Sequence, residues 1–293
     1  MKGFLKRTIC SSIALFSSSY IFAVDVNTAD YTALPENTNL FLVYFQYNNA
    51  DKYYTKGTVV DNSTLKSNIG VFRFIHFLKF GNITVDPQFL LPFGRIYDSK
   101  VADNSLNDAS GVGDPLIGAT FWLINQPNKG VSGRYLGITP LITLPWGDYN
   151  KNDILNIGEN RFKYNLQLGW VEPLYKNLSF ELMQDIVWYG DNNLESGGKK
   201  LSQNETYQTQ LNFRYDINSE QRLALGYSIK TGGKQFVNNF YSGIDTNSQQ
   251  LRLEYQKMIS PKIQLSGQFI KDTEINNGFK NDYGLNIRAL YIF

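Results

Sequence analysis

The segment RFKYNLQLGW, residues 161–170, alternates without a break. Phe162, Tyr164, Leu166, Leu168 and Trp170 are apolar, and the intervening Arg161, Lys163, Asn165 and Gln167 are polar. A repeat of two residues puts each set on its own face of a β-strand, whereas a helix would mix them around its circumference. The pattern recurs. Tyr207, Leu211, Phe213 and Tyr215 oppose Gln208, Gln210, Asn212, Arg214 and Asp216, and Leu251, Leu253 and Tyr255 oppose Gln250, Arg252, Glu254 and Gln256. In the last segment Tyr283, Leu285, Ile287, Ala289, Tyr291 and Phe293 share one face, with Asn286 and Arg288 on the other.

Alternation of this kind also occurs in soluble antiparallel sandwiches, where the polar face is a solvated sheet face instead of a watery lumen. The connections discriminate. Short ones near 80–82, 216–221 and 259–261 alternate with long polar ones at 48–68, 94–113, 147–160, 190–204, 232–248 and 273–281. Short turns on one side and long loops on the other are the arrangement of an outer-membrane barrel. The periodic segments predict strands near 38–47, 68–79, 82–93, 114–125, 134–145, 161–172, 178–189, 205–216, 222–231, 249–258, 262–271 and 283–293. About twelve strands, an even number, bring both ends of the sheet to the periplasmic side and close it without a free edge. The expected fold is therefore an all-β antiparallel transmembrane β-barrel with short periplasmic turns and long extracellular loops.

Composition agrees. The first 23 residues carry Lys2, Lys6 and Arg7, an apolar, serine-rich run and Ala23, and predict a signal peptide removed on export. Loss of these three cations from 28 leaves 25 against 26 acids, so the exported chain is nearly neutral and no nucleic-acid partner is expected. The only cysteine, Cys10, lies in that leader. No later stretch is apolar for the length of a spanning helix, yet 15% of the chain is aromatic, with 19 Tyr and 20 Phe, as lipid-facing girdles require. Residues 24–37 are expected to form a periplasmic lead-in or a partial plug, and 38–293 the barrel.

Little in the chain suggests catalysis. Beyond the leader there is one histidine, His76, which cannot make a metal cluster alone. If Arg73 faces the lumen, parity sets His76 with Phe72 and Phe74 on the lipid face near the periplasmic rim, the wrong end for a surface hydrolase. The sequence Gly111-Val112-Gly113-Asp114 precedes a strand, so it reads as a loop exit and not as a nucleotide-binding turn. No cofactor is expected. The inward faces are more informative. They carry Arg73, Arg161, Lys163, Arg214, Arg222, Lys230, Arg252 and Arg288 against Asp86, Glu181, Asp185 and Glu254. Such charges either pair into a network that stiffens the wall or line a wet channel, where the cation excess would favour anionic solutes.

With these residues in view, the chain resembles the outer-membrane proteins of the meta-pathway of phenol degradation family, from about residue 30 to 293. The matching stretches are GVGDP at 111–115 through ATFW at 119–122, YLGITP at 135–140 through LPWGDY at 144–149, LNIGENRF at 155–162, and NGF at 277–279. The family usually has Thr where Trp146 stands between Pro145 and Gly147. Within the most specific motif, Glu159 and Arg161 either line a constriction or pair to fix the loop. The resemblance implies an outer-membrane channel for passive uptake of small molecules, aromatic or hydrophobic compounds among them, and no established catalytic residue. A barrel hydrolase and a surface-interaction protein acting through its long loops are the alternatives. The implied partners are outer-membrane lipid, the small-molecule solute and the barrel assembly machinery, which would read the terminal strand through Tyr291 and Phe293. A monomer is the default.

Overall fold

Every backbone N–H and C=O in a bilayer needs a partner within the protein, and a closed sheet supplies them all. The computed structural model describes residues 25–195 and 198–293, so the expected leader at 1–23 lies outside the described residues. Among the described residues, 39–292 form a closed antiparallel barrel of twelve spanning strands. We number them β1 (Asn39–Thr55), β2 (Thr64–His76), β3 (Ile83–Val101), β4 (Leu116–Gln126), β5 (Arg134–Thr143), β6 (Lys163–Tyr175), β7 (Leu178–Tyr189), β8 (Thr206–Asp216), β9 (Gln221–Gly232), β10 (Thr246–Ser260), β11 (Ile263–Ile275) and β12 (Gly278–Ile292). Each pairs with its sequence neighbours. Closure comes at β1, where Tyr44 lies opposite Val71 of β2 on one side and Arg288 of β12 on the other. Among the described residues no helix is long and apolar enough to cross a membrane.

The alternation read at 161–170 is the inside–outside division of the wall. Phe162, Tyr164, Leu166 and Trp170 are exposed on the outer face, whereas Arg161, Lys163 and Gln167 are buried inside. The outer face carries Phe41, Phe45, Phe72, Phe74, Leu253 and Ile287, the inverse of a soluble protein and the requirement of a lipid-solvated one. A polar pair on that face, Gln184 and Thr209, satisfies itself through a 2.7 Å hydrogen bond from the Gln184 amide. The terminal Phe293 stacks on Tyr291 with ring centroids 5.4 Å apart, both on the outer face, and exchanges backbone hydrogen bonds with Asn39.

The expected long loops are corrected in part. Alternation stops near residue 47, but β1 continues to Thr55, and β3 continues to Val101. Beyond the hydrocarbon both faces are wet, so side chains such as Asn48, Asn49, Asp51 and Lys52 lose their two-residue pattern while backbone pairing persists, as in Asn49 opposite Tyr283. The sharpest difference is 273–281, where β11 and β12 meet through Asn276 and Asn277 alone. The extracellular side is thus built largely of extended hairpins, joined by a small second sheet from 192–195, 199–203, 235–237 and 240–241.

A charge placed on the outer face should be costly. Leu168, midway along β6, is on that face. Leu168→Arg is expected to destabilise the barrel by about 2–4 kcal/mol, read as a lowered urea midpoint for reversible folding into vesicles; an unchanged midpoint would remove Leu168 from the lipid face.

Candidate functional site

Inward charges in a narrow barrel need partners, because an unpaired buried ion is far costlier than a paired one. The partners here come largely from the chain ahead of β1. Residues 25–31 lie inside the barrel and rise through the lumen, contacting inward side chains of most strands. Asp30 ion-pairs with Arg288 of β12 at 2.5 Å and with Arg73 of β2 at 3.2 Å. Glu181 of β7 accepts hydrogen bonds from the Thr28 hydroxyl and the Ala29 amide, and Glu254 of β10 accepts from the Thr28 amide and the Asn27 side chain. Higher in the lumen Asp25 pairs with Arg252 at 2.8 Å and with Lys230 at 3.6 Å.

Tyr31 anchors this segment to the wall. Gly137 and Gly169 face each other across β5 and β6 on the inward side, and the Tyr31 ring fills the space their missing side chains leave. A Cβ on Gly169 would stand 2.2 Å from the ring carbons, so only glycine admits it there. The Tyr31 hydroxyl donates to Gln167 at 2.9 Å and lies 2.8 Å from the Thr139 hydroxyl, both on the same two strands. Trp122 meets the ring edge-on, and its indole N–H donates to Asp86.

The remaining expected residues are all placed inward. Arg214 bridges Glu181 at 2.8 Å and Asp216 at 3.0 Å, with Arg222 at 3.6 Å from Asp216. Asp185 accepts from the Gln167 and Asn165 amides. The wall cations are therefore committed to carboxylates. The excess of cations read from the strands is offset by Asp25 and Asp30 from the inner segment, Asp216 at the end of β8, and Glu159 from a loop. None of the first three belonged to the expected set. Asp25 and Asp30 lie in a stretch without periodicity, and the only sequence signal for the segment's seat was the pair of inward glycines on adjacent strands.

The outer mouth is covered by residues 144–162. Asp114, fully buried, accepts hydrogen bonds from the backbone N–H groups of Gly147 and Glu159 and so ties both ends of the loop to the top of β4. Between them Leu155 and Ile157 bury against Tyr53, Ile69, Ile96 and Phe279. Glu159 accepts from Arg161 at 2.8 Å and Lys163 at 2.7 Å. Of the two readings of this motif, the geometry is that of pairing that fixes the loop. Between the inner segment and the covering loops remains a cavity of about 190 Å³, bordered by Asp25 and Arg73 below and Ile244 and Thr246 above. His76 is remote from it, at the periplasmic end of β2, where its Nδ1 lies 2.9 Å from Asn39 Oδ1.

An apolar outer wall, closed pairing and a polar lumen define an outer-membrane β-barrel with a channel role, resident in the outer membrane of a Gram-negative bacterium. The chain belongs to the family described as putative MetA-pathway of phenol degradation, whose model matches residues 49–289. Among solved structures it is similar to the COG4313 outer membrane channel from Pseudomonas putida F1, with 34% identity and a TM-score of 0.86 over 92% of this chain and 100% of that one. The beta domain of the Bordetella autotransporter Brka shares the fold alone, at 8% identity and a TM-score of 0.54 over 88% of this chain and 100% of that one. No curated protein matches the chain.

The Glu159 contacts predict a pH dependence for the covering loop. Burial alone would raise the Glu159 carboxyl, but the charges of Lys163 and Arg161 and their hydrogen bonds outweigh it and hold it at about 2, below the ordinary 4.5. A lowered folded value means the stabilisation is complete above the ordinary value and fades as pH falls toward the folded one. Pepsin is expected to spare this loop at about pH 4 and to cut it at about pH 2. In Glu159→Gln, which leaves Arg161 and Lys163 without their anion, the loop should be cut at both. Equal protection of the two proteins would contradict this role for Glu159.

Proposed function

We propose that the protein passes small molecules passively across the outer membrane, aromatic or hydrophobic compounds among them, and that residues 25–31 are its gate. The observation that carries this reading is the seat of the inner segment. On its C-terminal side it runs into the wall at Asn39, and what holds it in the lumen is a set of ion pairs and hydrogen bonds to the wall. Displacing it breaks no pairing of the barrel itself. The lumen it would vacate is lined by Arg73, Asp86, Glu181, Asp185, Arg214, Arg252, Glu254 and Arg288, with Glu159, Arg161 and Lys163 at the outer end. These residues would set the preference among solutes once the segment moves.

The similar channel and the family description support a transport reading over the hydrolase alternative. The position of His76 supports it too, since a general base must lie within hydrogen-bond reach of the reacting group and His76 is held at the periplasmic rim by Asn39. We read the protein as a non-enzymatic monomer, inserted by the barrel assembly machinery through the strand that ends in Tyr291 and Phe293.

Single-channel recording in planar bilayers tests the gate. Deletion of residues 25–31 is expected to raise the unit conductance several-fold over that of the exported chain. Asp30→Ala, which leaves Arg73 and Arg288 without their shared carboxylate, should increase open events and shift selectivity toward anions. Identical conductance in all three proteins would refute the gate.

A further inference from the structure

The lipid-facing side of the wall is not uniform around the barrel. From β12 through β1 and β2 to β3, paired residues set the outward side chains in rows. The last wholly apolar row is Ile287, Phe45, Gly70 and Phe93, with the Phe93 ring lying over Gly70. Two residues further toward the outside the row is Leu285, Tyr47, Asn68 and Arg95, and two further still it is Tyr283, Asn49, Lys66 and Tyr97. Lys271 of β11, one position beyond the pair of Ile270 with Gly284, continues that last row. Three cations thus stand on the outer face directly above hydrocarbon-facing side chains.

Two of the three have no anion in the chain. Among the described residues the side chains of Arg95 and Lys271 make no ion pair and no hydrogen bond, although both groups are obligate donors. Both are exposed. Arg95 lies over the Tyr97 ring at 4.5 Å, and the Tyr97 hydroxyl accepts from the Asn68 amide at 3.4 Å. Lys66 reaches Asp98 at 2.7 Å, an exposed pair of the weak kind that a stronger anion displaces. The Tyr47 and Tyr283 rings sit between Lys66 and Lys271, 6.0 Å apart.

The placement of these cations is selective. At the periplasmic ends of the same five strands the outer face carries Phe41, Phe74, Phe89, Ile263 and Tyr291, and no lysine or arginine. At the outer ends of β6 to β9 it carries Phe162, Trp188, Tyr207 and Ile229, again without either. Cations serving only as interfacial anchors would recur at both ends and around the circumference. These are confined to one sector of the outer leaflet, where the neighbours are lipids.

We propose that Lys66, Arg95 and Lys271, with Tyr47, Tyr97 and Tyr283, form a docking surface for a phosphorylated glycolipid of the outer leaflet, its phosphates on the cations and its acyl chains on Phe45, Phe93 and Ile287. Arg95 and Lys66 are diagonal neighbours across β2 and β3, close enough to share one phosphate, to which arginine presents a bidentate fork. Lys271 lies three strand spacings from Lys66, about 14 Å, within reach of a second phosphate at the far end of a disaccharide.

Native mass spectrometry of the folded, detergent-solubilised protein titrated with bisphosphorylated lipid A, and with the same lipid stripped of both phosphates, reads this directly. The phosphorylated lipid is expected to bind roughly a hundredfold more tightly. Lys66→Gln, Arg95→Gln and Lys271→Gln should each weaken it about fivefold, and the three together by roughly a hundredfold. A control that removes the exposed periplasmic-side cations Lys79, Lys257 and Lys262 should leave binding unchanged. The single variants at Arg95 and Lys271, whose side chains have no hydrogen bond or ion pair to lose, keep the test open should the triple variant fail to fold. Inorganic phosphate at the concentration of the lipid is not expected to displace it; displacement would assign the cations to free phosphate and overturn the lipid. Equal binding of the two lipids, variants that bind like the unaltered protein, or an equal loss in the control would each overturn the docking surface.

Discussion

Hydrocarbon offers no hydrogen bonds, and from that constraint the rest of this molecule follows. The backbone must pair around a complete circuit, and β1 does so by joining β2 on one side and β12 on the other. A closed circuit with apolar side chains outside forces every alternate side chain inward. The inward positions are rich in arginine, lysine, glutamate and glutamine, so closure creates a second requirement: these groups must be matched within a narrow lumen.

The matching is done by chain that is not part of the sheet. Asp30 joins Arg73 and Arg288, Asp25 joins Arg252 and Lys230, and Glu181 and Glu254 hold the backbone between them. Tyr31 enters a slot that exists because Gly137 and Gly169 lie opposite each other on adjacent strands. The covering loop obeys the same logic at the outer mouth, with Glu159 between Arg161 and Lys163 and apolar Leu155 and Ile157 closing over it. The inner segment is held by ion pairs, hydrogen bonds and the Tyr31 ring, the covering loop by hydrogen bonds, ion pairs and an apolar cluster, and neither is a strand of the barrel. Such contacts break more readily than the wall, which makes them suited to a gate.

Between these two closures a cavity of about 190 Å³ remains. Its lining is mixed, apolar at Leu90, Pro92 and Leu116 and polar at Lys230, Asn281 and Asn286. Wall charge taken strand by strand suggests an anion path. In the finished lumen Asp25 and Asp30 of the inner segment pair with four of those cations, Arg73, Lys230, Arg252 and Arg288.

The faces of the strands were legible in the sequence because side-chain direction in a β-strand repeats every two residues, a local property. Arg73, Asp86, Glu181, Arg214, Arg252 and Arg288 could be set inward by parity alone, and twelve periodic segments matched twelve spanning strands. Strand ends beyond the bilayer were not legible, since Asn48, Asp51 and Lys52 sit where both faces are wet and nothing selects an alternation. Nor was the pairing of the lumen. Asp30 and Arg288 are 258 residues apart in the chain and meet only because the barrel closes and an aperiodic segment climbs inside it. Local periodicity determined which way each wall residue points; the path of the chain through three dimensions decided what each of them touches.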